Sequence, residues 1–323
     1  MEKPVARALS VFLSVWLAGA AMAAQPYPDR PVRFIVPYAP GGSSDVIARL
    51  LGQKLAQDLG QSFVVDNRPG AGSMLGTDIA AKSAPDGYTI ILSDMPHTIN
   101  PSVYGKIPYD PVADFSAITL VGTSAMFLFV HPSVPARSLT EFVALARSRP
   151  GALAIGSGGN GTTTHLLAEL FQSRAGIKLT HVPYKGAGPA LVDVAAGHIP
   201  ATFTSMATAA PLVKAGKLRV LGVTSVKRLA ALPDVPTFTE SGVPDFVVEH
   251  WWGVLAPAGV APPVVARLHD GIVKAVGAAD VRERFEALAV QPATDTPGQF
   301  HALLASEVKR WAKVVKDAGV KAN

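Results

Sequence analysis

The chain has 323 residues, no cysteine and a formal net charge of +5, and 49% of its residues are hydrophobic. The lack of cysteine excludes a disulfide framework and a cysteine-linked lipid anchor. Lysines and arginines are scattered and are not interleaved with aromatic residues, so nucleic-acid binding has little support. The hydrophobic content also argues against a disordered chain.

The first 24 residues have the pattern of a cleavable export signal. Lys3 and Arg7 precede the short apolar stretch ALSVFLSVWLAGA, and the small residues of AMA stand before Ala24. A membrane anchor would need a longer apolar stretch, because the polar QPYPDRP interrupts this one early. We therefore expect a signal peptide at residues 1–24 and an exported, soluble protein in a bacterial periplasm.

Strand-like and helix-like segments alternate after the signal, which predicts an α/β protein with largely parallel sheets. In the first half we expect strands at VRFIVPY, SFVVDN and YTIILSD. The first strand leads into a helix whose apolar residues recur at helical spacing and which Gly60 ends. A short helix is expected from Ser73, and a capping box at Ser138 and Glu141 predicts a helix over LTEFVALARSR.

The second half repeats this alternation. We expect strands at LAIGS, LTHVPY, IPATFTS and LRVLGVTS, with intervening helices at HLLAELFQSRAG, PALVDVAAG and ATAAPLVKAG. Two final helices are expected, one over PPVVARLHDGIVKAV and one that begins at Thr296, where proline and glutamine occupy favourable first-turn positions.

Two long extended stretches, at residues 117–131 and 246–256, indicate how the chain is divided. A chain of about 300 residues is long for one core, so two domains are expected. We predict that residues 25–124 begin domain 1, residues 125–250 form domain 2 and residues 251–323 return to domain 1. The fold class is then two α/β lobes joined by two crossing strands, with a ligand cleft between them, as in a periplasmic binding protein.

Glycine-rich loops join several of the predicted strands to helices. PYAPGGSSD and the similar VPYKGAG would both leave backbone N–H groups exposed at a helix N-terminus, which suits an anion. Ser43 or Ser44 is expected to cap the first helix, with Asp45 in its first turn. A plain capped turn is the alternative for any single loop of this kind.

A third loop, GSGGNGTTTH, combines glycines with the hydroxyls of Ser157, Thr162, Thr163 and Thr164. No Gly-Lys-Ser/Thr sequence follows, so triphosphate binding is disfavoured. Carboxylate binding needs only N–H and hydroxyl donors. The three loops together predict a ligand that is held from two sides.

The stretch NRPGAGSMLG supports a competing hypothesis. It reads Gly-x-Gly-x-x-x-Gly after a strand, and the next strand ends at Asp94, where a dinucleotide fold would place its ribose-binding acid. The spacing departs from the usual fingerprint, and other signatures of hydrolases, metalloproteases and cysteine enzymes are absent. The histidines are scattered, so we expect neither a metal site nor a cofactor.

Several long stretches identify the family that the chain resembles: YPDRPVRFIVPYAPGGSSD, VVDNRPGAGSMLGT, INPSVYGKIPYDPVADF, HVPYKGAGPAL and AGKLRVLGVTSVKRLAALPDVPTFTESG. The sequence resembles the Bug family of extracytoplasmic solute receptors, which are related to the binding proteins of tripartite tricarboxylate transporters. The resemblance covers essentially all of the chain after the signal. It implies a Venus-flytrap fold that closes around a small carboxylate.

The resemblance also implies which residues bind the ligand. The first loop contributes Tyr38, Ala39, Pro40, Gly41, Gly42, Ser43 and Asp45. The second lobe contributes Ser157, Gly159, Asn160, Thr162, Thr163 and His165, with Tyr184 and Lys185 nearby. Ser93, Thr204 and Ser205 complete the predicted site. Whether Asp94 and Lys185 reach the ligand is left open.

One departure from the family bears on the ligand. Many relatives have a Phe-Asp-Asn-type sequence where this chain has Phe203-Thr204-Ser205, and neither Thr nor Ser can pair with an amine by charge. We therefore expect a dicarboxylate, tricarboxylate or aromatic carboxylate rather than an amino acid. Asp94, if near the cleft, would repel a second carboxylate.

The predicted function is that of a monomeric, non-enzymatic receptor. It would bind a small carboxylate and deliver it to the integral membrane subunits of a tripartite tricarboxylate-type transporter. Two alternatives stay open: an exported dinucleotide-dependent enzyme that uses residues 70–76, and a sensor that signals to another partner.

Overall fold

A computed structural model describes residues 27–318 of the chain. The signal peptide predicted at residues 1–24 lies outside this part. Among the described residues, no helix combines the length and the apolar character that crossing a membrane requires.

The described chain forms two β-sheets flanked by helices. The strands are β1 (Val32–Val36), β2 (Phe63–Asn67), β3 (Thr89–Asp94), β4 (Phe115–Ala125), β5 (Phe127–Val130), β6 (Ala154–Ser157), β7 (Thr180–Pro183), β8 (Ala201–Thr204), β9 (Arg219–Val223), β10 (Glu249–Pro257) and β11 (Gln291–Pro292). The helices are α1 (Ser43–Leu59), α2 (Met74–Ala81), α3 (Pro96–Tyr104), α4 (Leu139–Ser148), α5 (Thr163–Ala175), α6 (Ala187–Ala195), α7 (Met206–Lys214), α8 (Pro262–Gly277), α9 (Ala279–Ala287) and α10 (Pro297–Ala318).

Each sheet is the centre of one lobe. The first has the strand order β11-β4-β10-β3-β1-β2 and the second the order β7-β6-β8-β5-β9. In both sheets three strands run parallel, β2, β1 and β3 in one and β7, β6 and β8 in the other. Antiparallel strands then join them, β10 to β3 and β5 to β8. The predicted two-lobed α/β fold is therefore confirmed.

Two chain segments cross between the lobes, and Thr224 connects them. Met126 separates β4 of the first sheet from β5 of the second, and Val248 precedes β10 on the return. The Thr224 hydroxyl accepts from the Met126 N–H (2.9 Å) and donates to the Val248 carbonyl (2.6 Å). The backbone of Thr224 also bonds to both residues. The boundaries predicted near residues 124 and 250 stay predictions.

Buried aromatic side chains form a large part of the core in both lobes. In the first lobe, Trp252 and Phe34 are fully buried beside the apolar face of α1. In the second, Phe171 packs edge-on against Phe203 and Phe238, with ring centroids 5.8 and 5.4 Å apart. Burial of such side chains contributes about 1.5–3 kcal/mol each. The cluster around Phe171 continues into the first lobe, where it includes Phe300.

Helix starts illustrate where local patterns succeed and fail. At the predicted start of α10, Thr296 and Gln299 form a capping box, with side chain-to-backbone bonds in both directions. At α4, Ser138 accepts from the Glu141 N–H as predicted, but the Glu141 carboxylate accepts from the Arg137 N–H.

The prediction that a serine caps α1 is wrong. Gly42 is the N-cap and makes no side-chain cap bond, because both serines already lie inside the helix. The Asp45 carboxylate accepts from the Gly41 N–H instead (3.1 Å). Helices α3 and α9 were not predicted from the sequence; α3 contains two prolines, at positions 96 and 101.

We expect the substitution Thr224→Val to destabilise the protein. Valine has nearly the same shape, but it leaves the buried Met126 N–H and Val248 carbonyl without the hydroxyl, at a cost of about 1–3 kcal/mol each. Thr224→Ser keeps the hydroxyl and should lose only about 1 kcal/mol with the methyl group. Urea unfolding of both variants measures the difference, and equal losses would show that the hydroxyl contributes nothing.

Candidate ligand-binding site

A cavity lies between the lobes, at the carboxyl ends of the parallel strands. This is where open α/β sheets place their ligands. Its volume is about 40 Å³, which is room for a few water molecules in this arrangement of the lobes. It is lined by Tyr38, Gly42, Ser43, Ser44, Asp94, Pro96, Met126, Gly158, Thr162, Thr163, Thr164, Ala187, Thr204 and His250.

The N-termini of four helices contribute to this lining. Ser43 and Ser44 begin α1, Pro96 begins α3, Thr163 and Thr164 begin α5, and Ala187 begins α6. Each N-terminus carries a partial positive charge from unpaired N–H groups, so their convergence favours an anion. No lysine or arginine is among the described lining residues. The positive potential at this cavity therefore comes from the backbone.

The loop between β6 and α5 is ordered by its own hydroxyls. Thr162 donates to the Gly159 carbonyl (2.7 Å) and accepts from the His165 N–H (3.4 Å) as the N-cap of α5. Thr164 accepts from the Gly158 N–H (2.8 Å). These bonds hold the start of α5 against the cavity. Thr163 is free to reach across the lobes, where its hydroxyl lies 3.2 Å from Nδ1 of His250.

Asp94 is the acidic group of the site. Its carboxylate accepts hydrogen bonds from the Tyr38 hydroxyl (2.8 Å) and the Ser44 hydroxyl (3.1 Å), and Nε2 of His250 lies 3.6 Å away. Burial raises the pKa of Asp94 to about 7, although the two hydroxyl donors oppose the shift. Burial lowers the pKa of His250 to about 3, so this imidazole is neutral at pH 7.

The two lobes touch each other around the cavity. The Ala39 N–H donates to the Lys185 carbonyl (3.1 Å), and the Tyr104 hydroxyl donates to the Asn160 carbonyl (2.5 Å). Gly188 packs so closely that an added Cβ would lie 3.0 Å from the carbonyl carbon of Gly41. The two Val-Pro-Tyr glycine loops thus meet face to face, and the structure represents a closed arrangement of the lobes.

Six of the predicted site residues line the cavity: Tyr38, Gly42, Ser43, Thr162, Thr163 and Thr204. Pro40 and Gly41 line a separate surface depression, together with Tyr184. Gly159, Asn160, Tyr184 and Lys185 line another, against the glycine loop that begins at residue 70. Ala39 is used in the contact with Lys185.

The remaining predicted residues do not line the cavity. Asp45 faces the first lobe, where Arg49 and Asn67 bind its carboxylate. Ser157 is fully buried against His181, with a 2.6 Å contact between Oγ and Nε2. The His165 ring stacks on that of His181, with centroids 4.3 Å apart. Ser93 and Ser205 are also buried outside the lining. Direct ligand contact by these residues stays a prediction that the cavity does not favour.

Several lining residues were not predicted from the sequence. Pro96, Met126 and His250 lie on a helix start and on crossing segments that carry no binding motif. The sequence marked Asp94 only by its position at the end of a strand. That position suggested a ribose-binding acid of a dinucleotide site, whereas the structure places Asp94 among the helix N-termini. Within residues 27–318, no group of three or more His, Cys, Asp or Glu side chains could hold a metal ion.

Comparison with known proteins identifies the family. A family model described as "Tripartite tricarboxylate transporter family receptor" matches residues 47–320. The chain belongs to this receptor family. Protein BugT of Bordetella pertussis is 39% identical over 315 residues, which are 97% of each chain.

Solved structures of receptors agree in fold. The periplasmic binding protein BugD is 32% identical with a TM-score of 0.89, covering 91% of this chain and 99% of BugD. Rpa4515 of R. palustris, solved with adipate, is 35% identical with a TM-score of 0.88, covering 91% and 99%. These likenesses span both lobes of the receptor.

The stability of Asp94→Asn relative to that of the unsubstituted receptor should rise with pH. Burial raises the pKa of Asp94 from the ordinary value of 3.8 to about 7, so the folded protein keeps a proton on this carboxyl group up to about pH 7. The contribution of Asp94 to the free energy of unfolding is therefore fully present below pH 3.8, the pKa in the unfolded chain, and it is lost as the pH rises through about 7, the pKa in the folded protein. The asparagine avoids this loss.

Urea unfolding of the receptor and this variant at about pH 5 and about pH 8 measures the effect. The difference in unfolding free energy should be larger at the higher pH. Asp245→Asn is the matched control, because its side chain is 82% exposed. A difference that does not change with pH would contradict the prediction.

Proposed function

We propose that this receptor captures a small carboxylate in the cavity between its lobes and hands it to the membrane subunits of a tripartite tricarboxylate-type transporter. One observation carries the proposal: four helix N-termini converge on a cavity whose described lining has no lysine or arginine. Backbone N–H groups and hydroxyls can bind a carboxylate through charge-assisted hydrogen bonds. The adipate in the structure of Rpa4515 is a ligand of this class.

The carboxylate would lie against the first turns of α1 and α5. Gly42 leaves the N-terminus of α1 open, since an added Cβ there would approach only the Gly188 nitrogen, at 3.9 Å. Ser43 and Thr163 add hydroxyl donors from opposite lobes. A ligand that binds both lobes stabilises the closed arrangement, and closure excludes water and strengthens its hydrogen bonds.

The family supports a proposal for the location and the partners. BugD is a periplasmic protein, and we propose the same compartment for this receptor after export by the predicted signal peptide. We propose that it acts as a monomer and without enzymatic activity. The dinucleotide alternative is disfavoured because Gly72 packs on the second lobe, where an added Cβ would lie 2.2 Å from the Asn160 carbonyl oxygen. The sensor alternative would use the same cavity with another partner.

Gly42→Asp should abolish carboxylate binding. The new side chain would place a negative charge at the open end of α1, and like-charge contact costs several kcal/mol. We expect at least about a hundredfold loss of affinity in isothermal titration with the tightest-binding carboxylate of a panel.

Gly298→Asp is the control for this substitution. It adds the same charge in the first turn of α10, outside the cavity lining, where an added Cβ meets no atom within 4 Å. Its affinity should match that of the unsubstituted receptor. Unchanged affinity in Gly42→Asp would show that the ligand does not bind at this helix.

Gly188→Ala should weaken binding by holding the lobes apart. The added methyl group would press on Gly41 and Gly42 across the interface, and overpacking of this kind costs about 1–3 kcal/mol. Alanine favours the helix, so folding itself should not suffer. We expect about a tenfold loss of affinity and, in small-angle scattering, a larger radius of gyration with ligand bound.

Gly277→Ala serves as the comparison, because its position at the end of α8 has open space around it. If both alanine variants close and bind like the parent receptor, the contact between the two glycine loops does not limit closure.

A further inference from the structure

Asp94 places a carboxylate in a cavity whose helix N-termini favour a bound anion. It is the one carboxylate among the described lining residues, and its side chain is only 6% exposed. Within residues 27–318 its sole ion-pair partner within 4 Å is His250, whose pKa burial holds at about 3. At pH 7 no protein cation therefore compensates an ionised Asp94.

Hydrogen bonds satisfy only part of this carboxylate. Tyr38 donates to Oδ1 and Ser44 donates to Oδ2. An ionised carboxylate has about four acceptor positions, so acceptor capacity is left over beside the cavity. The Ser44 hydroxyl itself accepts from the indole N–H of Trp252 (3.2 Å), which fixes it as a donor to Asp94. The group is thus held in place as an acceptor.

None of the titratable groups that face Asp94 in the described structure carries a positive charge at pH 7. Tyr38, on the loop after β1, keeps its proton because burial raises its pKa well above the ordinary value. His250, on β10, is neutral. Ser44 on α1 and Pro96 on α3 do not titrate.

The cavity consequently presents two opposite electrostatic faces. The starts of α1, α5 and α6 are positive, and Asp94 is negative once it loses its proton, which its pKa of about 7 allows near neutral pH. A ligand with carboxylates alone would bring a second anion close to Asp94, and two carboxylates in one site cannot both ionise without a large cost. A ligand that carries both a carboxylate and a positively charged group can interact favourably with the helix N-termini and with Asp94.

We propose that Asp94 is the residue that determines specificity, and that the ligand is a small carboxylate bearing an ammonium group, which Asp94 binds while the helix N-termini bind the carboxylate. This inference rests on the proposed function. It revises the expectation drawn from Thr204 and Ser205, which line or adjoin the same cavity without a charge. Asp94 supplies from β3 the negative group that those two positions lack.

Isothermal titration of the whole receptor with matched ligand pairs tests the proposal. The pairs are propanoate and β-alanine, succinate and aspartate, and glutarate and glutamate. We expect the ammonium-bearing member of the best-binding pair to bind at least tenfold more tightly. Equal or tighter binding of the unsubstituted member overturns the inference and leaves the carboxylate receptor intact. If no carboxylate binds in any pair, the proposed function fails as well.

Malate distinguishes charge from simple hydrogen bonding. It replaces the ammonium group of aspartate with a hydroxyl, which donates a hydrogen bond but carries no charge. Tighter binding of malate than of aspartate would overturn the ammonium assignment.

The pH dependence gives a test that needs no variant. The ammonium pairs only with ionised Asp94, so binding should release a proton, and affinity should fall as the pH drops from about 8 to about 6. An unsubstituted dicarboxylate would require a proton on Asp94 and would show the opposite slope. Titrations in two buffers of different ionisation enthalpy measure the proton count directly, and proton uptake contradicts the proposal.

The variant Asp94→Asn isolates the charge. Asparagine keeps one acceptor oxygen and the same shape, but it cannot compensate an ammonium group. We expect the preference within each ligand pair to disappear or reverse. Asp245→Asn removes a charge from the exposed surface and should keep the preference. Thermal unfolding confirms that each variant is folded, and an unchanged preference in folded Asp94→Asn overturns the assignment.

Discussion

The direction of the parallel strands is the constraint on which the rest of the structure depends. In both sheets the carboxyl ends face the opposite lobe, so each following helix begins at the seam between the lobes. Exposed N–H groups therefore gather there without any basic side chain in the described lining. Glycines at 42 and 188 keep the helix starts bare and let the lobes approach. Selectivity is then left to the few side chains that enter the cavity.

Much of this arrangement could be predicted from the sequence, because strand-to-helix loops are local features. The glycine and threonine loops around Gly42 and Thr162 mark helix starts directly. The place of His250 could not be found in this way, since it depends on the pairing of β10 with β3, which sets Trp252 opposite Asp94. That register is decided by packing between segments far apart in the chain. The prolines in α3 likewise concealed the helix that follows Asp94.

The buried titratable side chains at and near the cavity reduce the stability of this receptor. Asp94, His250 and His165 all lie in surroundings that disfavour their charged forms. Such burial is destabilising, and the cores around Trp252 and Phe171 offset it. A binding site of this kind keeps polar groups dry before the ligand arrives, so less reorganisation is needed when it binds.

Thr224 also bears on how the lobes can move relative to each other. Its hydroxyl and backbone tie Met126 and Val248 into one unit, so the two chain crossings must bend together. Two independent connections would allow the lobes to slide and twist. Two connections that are hydrogen-bonded to each other at one residue act as a single hinge, so that one lobe would rotate relative to the other about one axis. The lobes would then open and close along the same rotation, and each closure would restore the same contact between the two glycine loops.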